Sequence, residues 1–518
     1  MRVSQEIPLQ GVTPVDGWAL TSFMLYLLIV VGIGVYAARF SSRGLSEFFI
    51  AGRRMNRFVV ALSAVASGRS AWLMLGMTGM AFTMGVAAIW AAIGYTTAEC
   101  LLFLFYAPRI RRFAGAHDCI TFPDVLARRF QDDDGRLRLA LAAVFSFFLV
   151  AYIAAQFVGG GKALATSFNV APTTGILLTA GIVLAYTVLG GFLAVSLTDA
   201  FQGTLMLIAL VGLPLIVASD LGGVGAVLTE LRSFSPSMLD PLALTAGAAI
   251  GFVGIGLGAP GNPHIVIRYI SIRDPREFVQ AAIVGTTWNV LLAAGAIMIG
   301  LVGRAYVPDV SGLPLGDAEN LLPFLAQRFL PSVLFGVVVA AIFAAIMSTA
   351  DSQLLVMAST IVRDVYQQIW RKGEALEEDR LVLLSRLVIA GLVVVAVALG
   401  LLADQLIFWL VLFAVAGLGG AIGPASVLAI FWRGATRAGV LAGMAVGTAT
   451  TIVWFLTPAL KAIVYELVPA FILGMAVTII VSRVTRPPDG VDEMFAVMRG
   501  DDQPAAEPAI EYAPPALP

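Results

Sequence analysis

Long apolar runs, each of about 18 residues or more and therefore able to span a bilayer as a helix, recur along the whole chain. Inside hydrocarbon the backbone amides must bond within their own segment, which favours helices over open strands. Of the 518 residues, 59% are hydrophobic and only 13% are charged, whereas soluble domains carry about 25% charged residues. We therefore predict an all-α polytopic membrane protein.

The apolar pattern predicts about thirteen transmembrane helices, followed by a polar tail. The spans lie near residues 18–38, 58–85, 87–107, 138–160, 173–190, 195–218, 243–269, 277–303, 325–365, 381–402, 406–431, 439–457 and 463–482. Most of the 32 Lys and Arg residues fall in alternate loops, and the positive-inside rule places those loops in the cytoplasm. We expect a multi-pass protein of the cell inner (cytoplasmic) membrane with the N-terminus outside and the C-terminus in the cytoplasm.

The regions outside the spans are short. Residues 1–17 form an external N-terminus, 18–482 form the transmembrane domain, and 483–518 are expected to be a disordered cytoplasmic tail because they are polar and rich in Pro and Ala. The two cysteines and two histidines form no metal-ligand pattern. No nucleophile–base pair, cofactor loop or nucleic-acid motif is present, so we expect a protein that is not an enzyme, has no cofactor and does not bind nucleic acid. The oligomeric state stays open.

Two of the predicted spans are interrupted by residues that disfavour a continuous helix. The second span contains Ser67-Gly68-Arg69-Ser70, and the seventh contains a Gly- and Pro-rich stretch over residues 256–263. Gly and Pro are frequent in membrane helices generally, so one break alone says little. Two breaks at corresponding positions of two halves are typical of a transporter site. They divide the chain into a repeat over about 58–218 and a repeat over about 243–431.

Three polar positions within the spans are candidates for ion chemistry. Ser348 and Thr349 can present two hydroxyl oxygens to a neighbouring helix, or can bond back to carbonyls of their own helix. Asp351 is an ionisable residue inside a span and therefore a functional candidate, or it is a solvated charge near a helix end. Asp199 opens the sixth span, where the helix dipole favours an acid and where a cation exit path could also lie.

Four sequence segments resemble the sodium/solute symporter family, and most closely its bacterial sodium/proline symporters. They are ASGRSAWL (66–73), YTVLGGFLAVSLTD (186–199), GNPHIVIR (261–268) and STADSQLL (348–355). The resemblance covers about residues 18–482. It implies a leucine-transporter-type 5+5 inverted repeat with broken helices 2 and 7, and sodium-coupled symport of proline or a similar amino acid by alternating access.

The resemblance also implies roles for particular residues. The coupling sodium ion would be held by the carbonyls of Ala66, Arg69 and Ala345 and the hydroxyls of Ser348 and Thr349, and no other metal is expected. Asp199 would lie on the cytoplasmic release path. Residues with expected roles in substrate binding or gating are Ser67, Gly68, Ser70, Trp72, Ile255, Ala259 and Asn262.

The chain departs from the proline symporters at both breaks. Gly68 and Arg69 stand where those proteins carry an aspartate and a methionine, and Ile255 and Ala259 stand where they carry a tryptophan and a tyrosine. The Arg69 guanidinium could replace sodium, bind a substrate carboxylate, or turn away into a salt bridge with Glu99 or Asp351, because a buried guanidinium needs a partner.

These departures leave other functions open. One is a sodium-independent or proton-coupled carrier of a small carboxylate, in which Arg69 replaces the ion. The other is a transporter-like solute sensor. In every case the expected partners are a small solute and the lipid bilayer.

Overall fold

The computed structural model describes residues 17–41, 44–374, 376–402 and 407–501, whose regular structure is helical apart from one bridge between Met55 and Ile272. The α-helices are α1 (Gly17–Ser41), α2 (Leu45–Ile50), α3 (Arg57–Ala71), α4 (Thr78–Met84), α5 (Ile89–Leu101), α6 (Ala107–Ala116), α7 (Phe122–Phe130), α8 (Arg136–Phe168), α9 (Pro172–Asp220), α10 (Val224–Phe234), α11 (Ala246–Gly254), α12 (Pro263–Ser271), α13 (Phe278–Tyr306), α14 (Leu321–Phe329), α15 (Ser332–Ser359), α16 (Glu378–Leu402), α17 (Ile407–Phe431), α18 (Arg437–Leu456), α19 (Pro458–Lys461), α20 (Leu467–Arg483) and α21 (Val491–Arg499). Short 3₁₀ or π segments join several of them. The predicted all-helical class is confirmed.

The helices are long and apolar enough for a membrane protein. Within the described ranges, nine helical stretches could cross a membrane, or ten if the bent pair around Asn262 is one span. The stretch Arg57–Ala116 has 60 residues and α9 has 49. At about 1.5 Å per residue, either exceeds a hydrocarbon core of about 30 Å. Each is interrupted at a glycine with positive φ, Gly85 (69°) or Gly191 (56°), where the sequence predicts two spans to meet. The total of thirteen stays a prediction.

Both predicted helix breaks are present. In the first, α3 is interrupted at Ser70, whose φ of 51° and ψ of −172° are not helical, and a π segment follows over Trp72–Met77. In the second, α11 passes into a 3₁₀ segment over Ile255–Gly261 and an extended Asn262 before α12 begins, with a bend of 52°. Backbone groups are therefore released from helical bonding at two places inside the protein.

Helix α15 is a long, deeply buried helix near these breaks. Every residue from Val338 to Ser359 is buried, and the helix packs against α1, α3, α8 and α9. A helix that is apolar on all sides belongs to the interior of a large bundle. Its few polar side chains therefore face other helices, and they come to lie beside the first break.

The predicted disorder of the tail is wrong for part of residues 483–518. Helix α21 lies against α6, with Phe495 and Met498 buried. Arg112 donates to the carbonyls of Met498 (3.2 Å) and Arg499 (3.1 Å), which end the helix. The prediction relied on the average composition of the tail, which is polar and Pro-rich. It therefore overlooked the short amphipathic pattern of residues 491–499. Residues 502–518 lie outside the described ranges.

A glycine contact brings α5 against the second broken helix. A Cβ placed on Gly94 would lie 2.3 Å from the carbonyl oxygen and 2.7 Å from the Cα of Val253 on α11. Small residues allow such close backbone approach in membrane bundles. We expect Gly94→Leu to destabilise the protein by at least about 1–3 kcal/mol, because neither backbone can yield. A lower thermal unfolding midpoint in detergent would show this.

The matched control for this prediction is Gly391→Leu on α16, since a Cβ on Gly391 meets no atom within 4 Å. The control should leave the unfolding midpoint near that of the wild type. Equal losses in the two variants would contradict the packing explanation.

Candidate functional site

Five oxygen atoms gather where α15 passes the first break. The Ser348 hydroxyl donates to the carbonyls of Ala66 (3.3 Å) and Ala345 (3.2 Å). The Thr349 hydroxyl donates to the carbonyls of Ser67 (2.9 Å) and Ala345 (3.1 Å). All five are neutral, hard ligands, which suit a small cation such as sodium. To hold an ion, the two hydroxyls would rotate so that their lone pairs face it. We call this group the oxygen cage.

The cage contains four of the five residues predicted to bind sodium. The fifth, Arg69, differs, because its carbonyl accepts the backbone N–H of Trp72. The carbonyl of Ser67 stands in the cage instead. The sequence did not predict the Ser67 carbonyl. Which carbonyl is left without a helical hydrogen bond depends on which residue of the break is non-helical. Ser70 rather than Gly68 has the positive φ.

Asp199 lies directly behind the cage in a buried polar cluster. Its Oδ2 accepts hydrogen bonds from Ser63 (2.6 Å), Ser67 (3.1 Å) and the Arg268 guanidinium (2.8 Å). Ser67 also contributes its carbonyl to the cage, so that the cage and the cluster share one residue. The expected exit-path residue is therefore half of a fully buried ion pair. Arg268 was not predicted, although a charge within an apolar helix is itself a signal of function.

Asp351 does not pair with Arg69, and this alternative of the sequence analysis is wrong. Its carboxylate accepts from the hydroxyls of Tyr186 (2.6 Å) and Ser352 (2.9 Å). The orientation of α15 about its axis explains this, because the Asp351 side chain lies on the side of α15 that faces α9. Arg69 projects from the break toward α5 and α13 instead.

Arg69 is held in a closed network with Glu99 on α5 and Asn289 on α13. Its guanidinium forms a salt bridge with Glu99, and its Nε donates to the Asn289 side chain at 2.9 Å. The Asn289 amide in turn donates to the other Glu99 oxygen at 2.7 Å. The guanidinium also stacks over the Tyr95 ring at 3.9 Å. A Cβ at Gly68 would lie 3.3 Å from the Glu99 carboxylate. Glu99 therefore places a carboxylate beside Gly68, the position at which the proline symporters carry an aspartate.

A cavity lies between the two broken helices, next to this network. Its lining residues are Gly68, Arg69, Trp72, Tyr95, Glu99, Tyr152, Ile255, Ala259, Asn262, His264, Ile265, Val411, Leu412 and Val415. The predicted residues Gly68, Trp72, Ile255, Ala259 and Asn262 are among them. Ser67 belongs to the cage, and the Ser70 hydroxyl accepts the backbone N–H of Trp72 at 3.1 Å. The cavity walls from α5, α8 and α17 were not predicted, because their positions depend on tertiary packing.

The chain is similar to known transporters over most of its length. The profile of the sodium:solute symporter family matches residues 48–447. The osmoregulated proline transporter OpuE of Bacillus subtilis (strain 168) is 35% identical over 486 residues, which cover 92% of this chain and 97% of that protein. A sodium/proline symporter of Staphylococcus aureus (strain USA300) is 35% identical over 478 residues, covering 90% and 92%. The matched relatives are transporters and not enzymes.

Solved structures agree on the fold. A Na⁺-coupled sialic acid symporter in a substrate-bound, outward-open state superposes with a TM-score of 0.78 at 20% identity, covering 91% of this chain and 99% of the other. Mhp1, a nucleobase-cation-symport-1 family transporter, gives a TM-score of 0.55 at 15% identity, covering 87% and 98%. These likenesses confirm the predicted leucine-transporter-type fold.

Proposed function

The chain belongs to the sodium:solute symporter family, and from this premise we propose that it carries proline or a similar small amino acid together with sodium by alternating access. The observation that carries the proposal is the oxygen cage. Hydroxyls of Ser348 and Thr349 meet backbone carbonyls at a helix break, as an ion site built from half-helices requires. The cavity beside the break supports the proposal, because a solute bound there would lie near the ion.

The position of the Arg69 guanidinium supports sodium coupling. It is engaged by Glu99 and Asn289 and stacks on Tyr95, whereas the cage hydroxyls bond to carbonyls. The proposed cage therefore remains open to sodium, although a cation stands nearby. Of the three interpretations of Arg69, this geometry best fits the one in which Arg69 forms a salt bridge and the oxygen cage stays available to sodium.

A second function is favoured by one observation. Arg69 lines the cavity itself, and a guanidinium is suited to a substrate carboxylate. A carrier of small carboxylates, with the guanidinium replacing the ion, is the alternative that this contact supports. It differs from the first proposal in requiring no sodium.

The family places the protein in a membrane, and we propose the inner membrane with the N-terminus outside. The argument is the distribution of Lys and Arg, which concentrate in the loops on the side that carries α7. Cysteine labelling of the two faces in intact cells would test this orientation.

The function is tested by uptake into proteoliposomes. With an inward sodium gradient, we expect labelled proline to accumulate at about ten times the rate measured with choline or more, because the gradient supplies the driving force and the cage the ion site. Gramicidin, which collapses the gradient, should abolish accumulation. Equal uptake in sodium and in choline would contradict sodium coupling and favour the carboxylate carrier. Arg69→Met, tested beside the wild type, would show whether the guanidinium occupies the ion's place.

A further inference from the structure

The cavity is lined by residues whose buried polar atoms lack a hydrogen-bond partner within the described chain. These atoms are the Tyr95 hydroxyl, the Asn262 side-chain oxygen and both ring nitrogens of His264. Buried polar groups are nearly always hydrogen-bonded. These four atoms belong to three residues that line one cavity, so a polar molecule that enters it can complete their hydrogen bonds.

Another part of the cavity lining is apolar. It includes Ile255, Ala259, Ile265, Val411, Leu412 and Val415. A solute that satisfies both walls has a small hydrocarbon body and a strongly polar end. The polar end faces the Arg69–Glu99 salt bridge, since both partners also line the cavity.

The salt bridge has features of a pair that can open. Both side chains are almost fully buried, and a buried pair often contributes little net stability because both charges are desolvated. Nε and Nη2 of Arg69 have partners in the network, and within the described residues Nη1 forms no further bond there, so it can donate to another acceptor. Asn289 bonds to both charges, so each keeps one partner if the salt bridge separates.

We propose that Arg69 and Glu99 exchange partners when the substrate binds, and that they thereby select a zwitterion. The substrate carboxylate takes the guanidinium of Arg69, and its ammonium group takes the carboxylate of Glu99. The substrate carboxylate then takes the place of Glu99 beside Arg69, and the ammonium group takes the place of Arg69 beside Glu99. Every charge therefore keeps a partner of opposite sign. A carboxylate without an ammonium group would leave Glu99 beside a second anion, which is unfavourable in a buried site. Glu99 is therefore the residue that distinguishes amino acids from simple carboxylates.

This inference rests on the proposed function for its site, but it can be tested by binding alone. Purified protein would be titrated with L-proline and L-alanine, with their amides, and with tetrahydrofuran-2-carboxylate and L-lactate, which lack the amine. The readout is the thermal unfolding midpoint, with and without sodium. In the wild type, we expect the amino acids to bind at least about tenfold more tightly than either analogue class, as the loss of one charged hydrogen bond implies.

The decisive variant is Glu99→Gln, which keeps the shape of the side chain and removes its charge. The preference for the amino acid over the amine-free carboxylate should fall by at least about tenfold, and Glu99→Asp should restore part of it. Glu466→Gln, a change of another buried glutamate outside the cavity, should keep the wild-type preference.

Three results would overturn the proposal. They are a wild type that binds L-lactate as tightly as L-alanine, a wild type that binds carboxylates but no amino acid, and a folded Glu99→Gln variant with unchanged preference. The first two need no variant, so they decide the matter even if Glu99→Gln fails to fold. Sodium-independent uptake together with zwitterion selectivity would refute the proposed coupling and leave this inference standing.

Discussion

Removing the two hydroxyls of the cage, by Ser348→Ala combined with Thr349→Val, is expected to raise the sodium concentration for half-maximal uptake by about 100-fold or more. Each hydroxyl is one of the five oxygens, and a lost bond to a charged partner is worth about 1.5–3 kcal/mol, where 1.4 kcal/mol is tenfold. Valine keeps the shape of threonine and alanine removes only one atom of serine, so the packing of α15 should survive. Initial uptake rates across a sodium series measure the change.

The chain supplies a matched control for this double substitution. Ser359 and Thr360 form another adjacent hydroxyl pair on the same continuous helix, also buried, whose side chains bond only to the carbonyl of Val356 (2.8 and 2.9 Å) in the described structure. Ser359→Ala with Thr360→Val should therefore leave the sodium requirement unchanged. If both double variants shift it equally, the effect belongs to the helix and not to the cage.

Local chemistry explains why the breaks and the hydroxyl pair could be predicted. The Gly- and Pro-rich stretch at 256–263 disfavours a regular helix, because Pro260 and Pro263 lack the backbone donor and glycine is a poor helix former. The adjacent hydroxyls at Ser348 and Thr349 lie within a span whatever its neighbours are. Such features are encoded within a few residues, and the structure places them where the pattern indicates.

Partnerships between helices could not be read in the same way. Sequence left Glu99 and Asp351 as equal candidates for Arg69, because either is within reach of the break. The choice depends on the rotation of α5 and α15, which is set by packing across the bundle. The cavity walls contributed by α17 and the pairing of Arg268 with Asp199 are of the same kind. Helix α21 is a different case, in which a polar composition concealed an amphipathic segment.

Replacing Arg268 with methionine is expected to destabilise the protein by about 3–5 kcal/mol and to abolish sodium-driven uptake. The guanidinium is 1% exposed and pairs with a carboxylate that is fully buried. Methionine keeps an unbranched apolar stem but leaves Asp199 without a cation in the interior. Arg268 also donates to Ser63 and Ser67 (2.8 and 2.7 Å), so the order of the cage should be lost as well. The thermal unfolding midpoint and proteoliposome uptake measure the two effects separately.

A double-variant cycle separates the role of the Arg268–Asp199 pair in stability from its role in transport. Asp199→Asn alone leaves the guanidinium unpaired, so it should also be strongly destabilising. Combined with Arg268→Met, it removes both charges, and the double variant should recover much of the lost stability because replacing a whole buried pair is often neutral. Uptake should not recover, since Ser67 lacks its ionic neighbours. Strictly additive losses of stability would show that the two residues act independently, and restored uptake in the double variant would exclude the pair from the ion path.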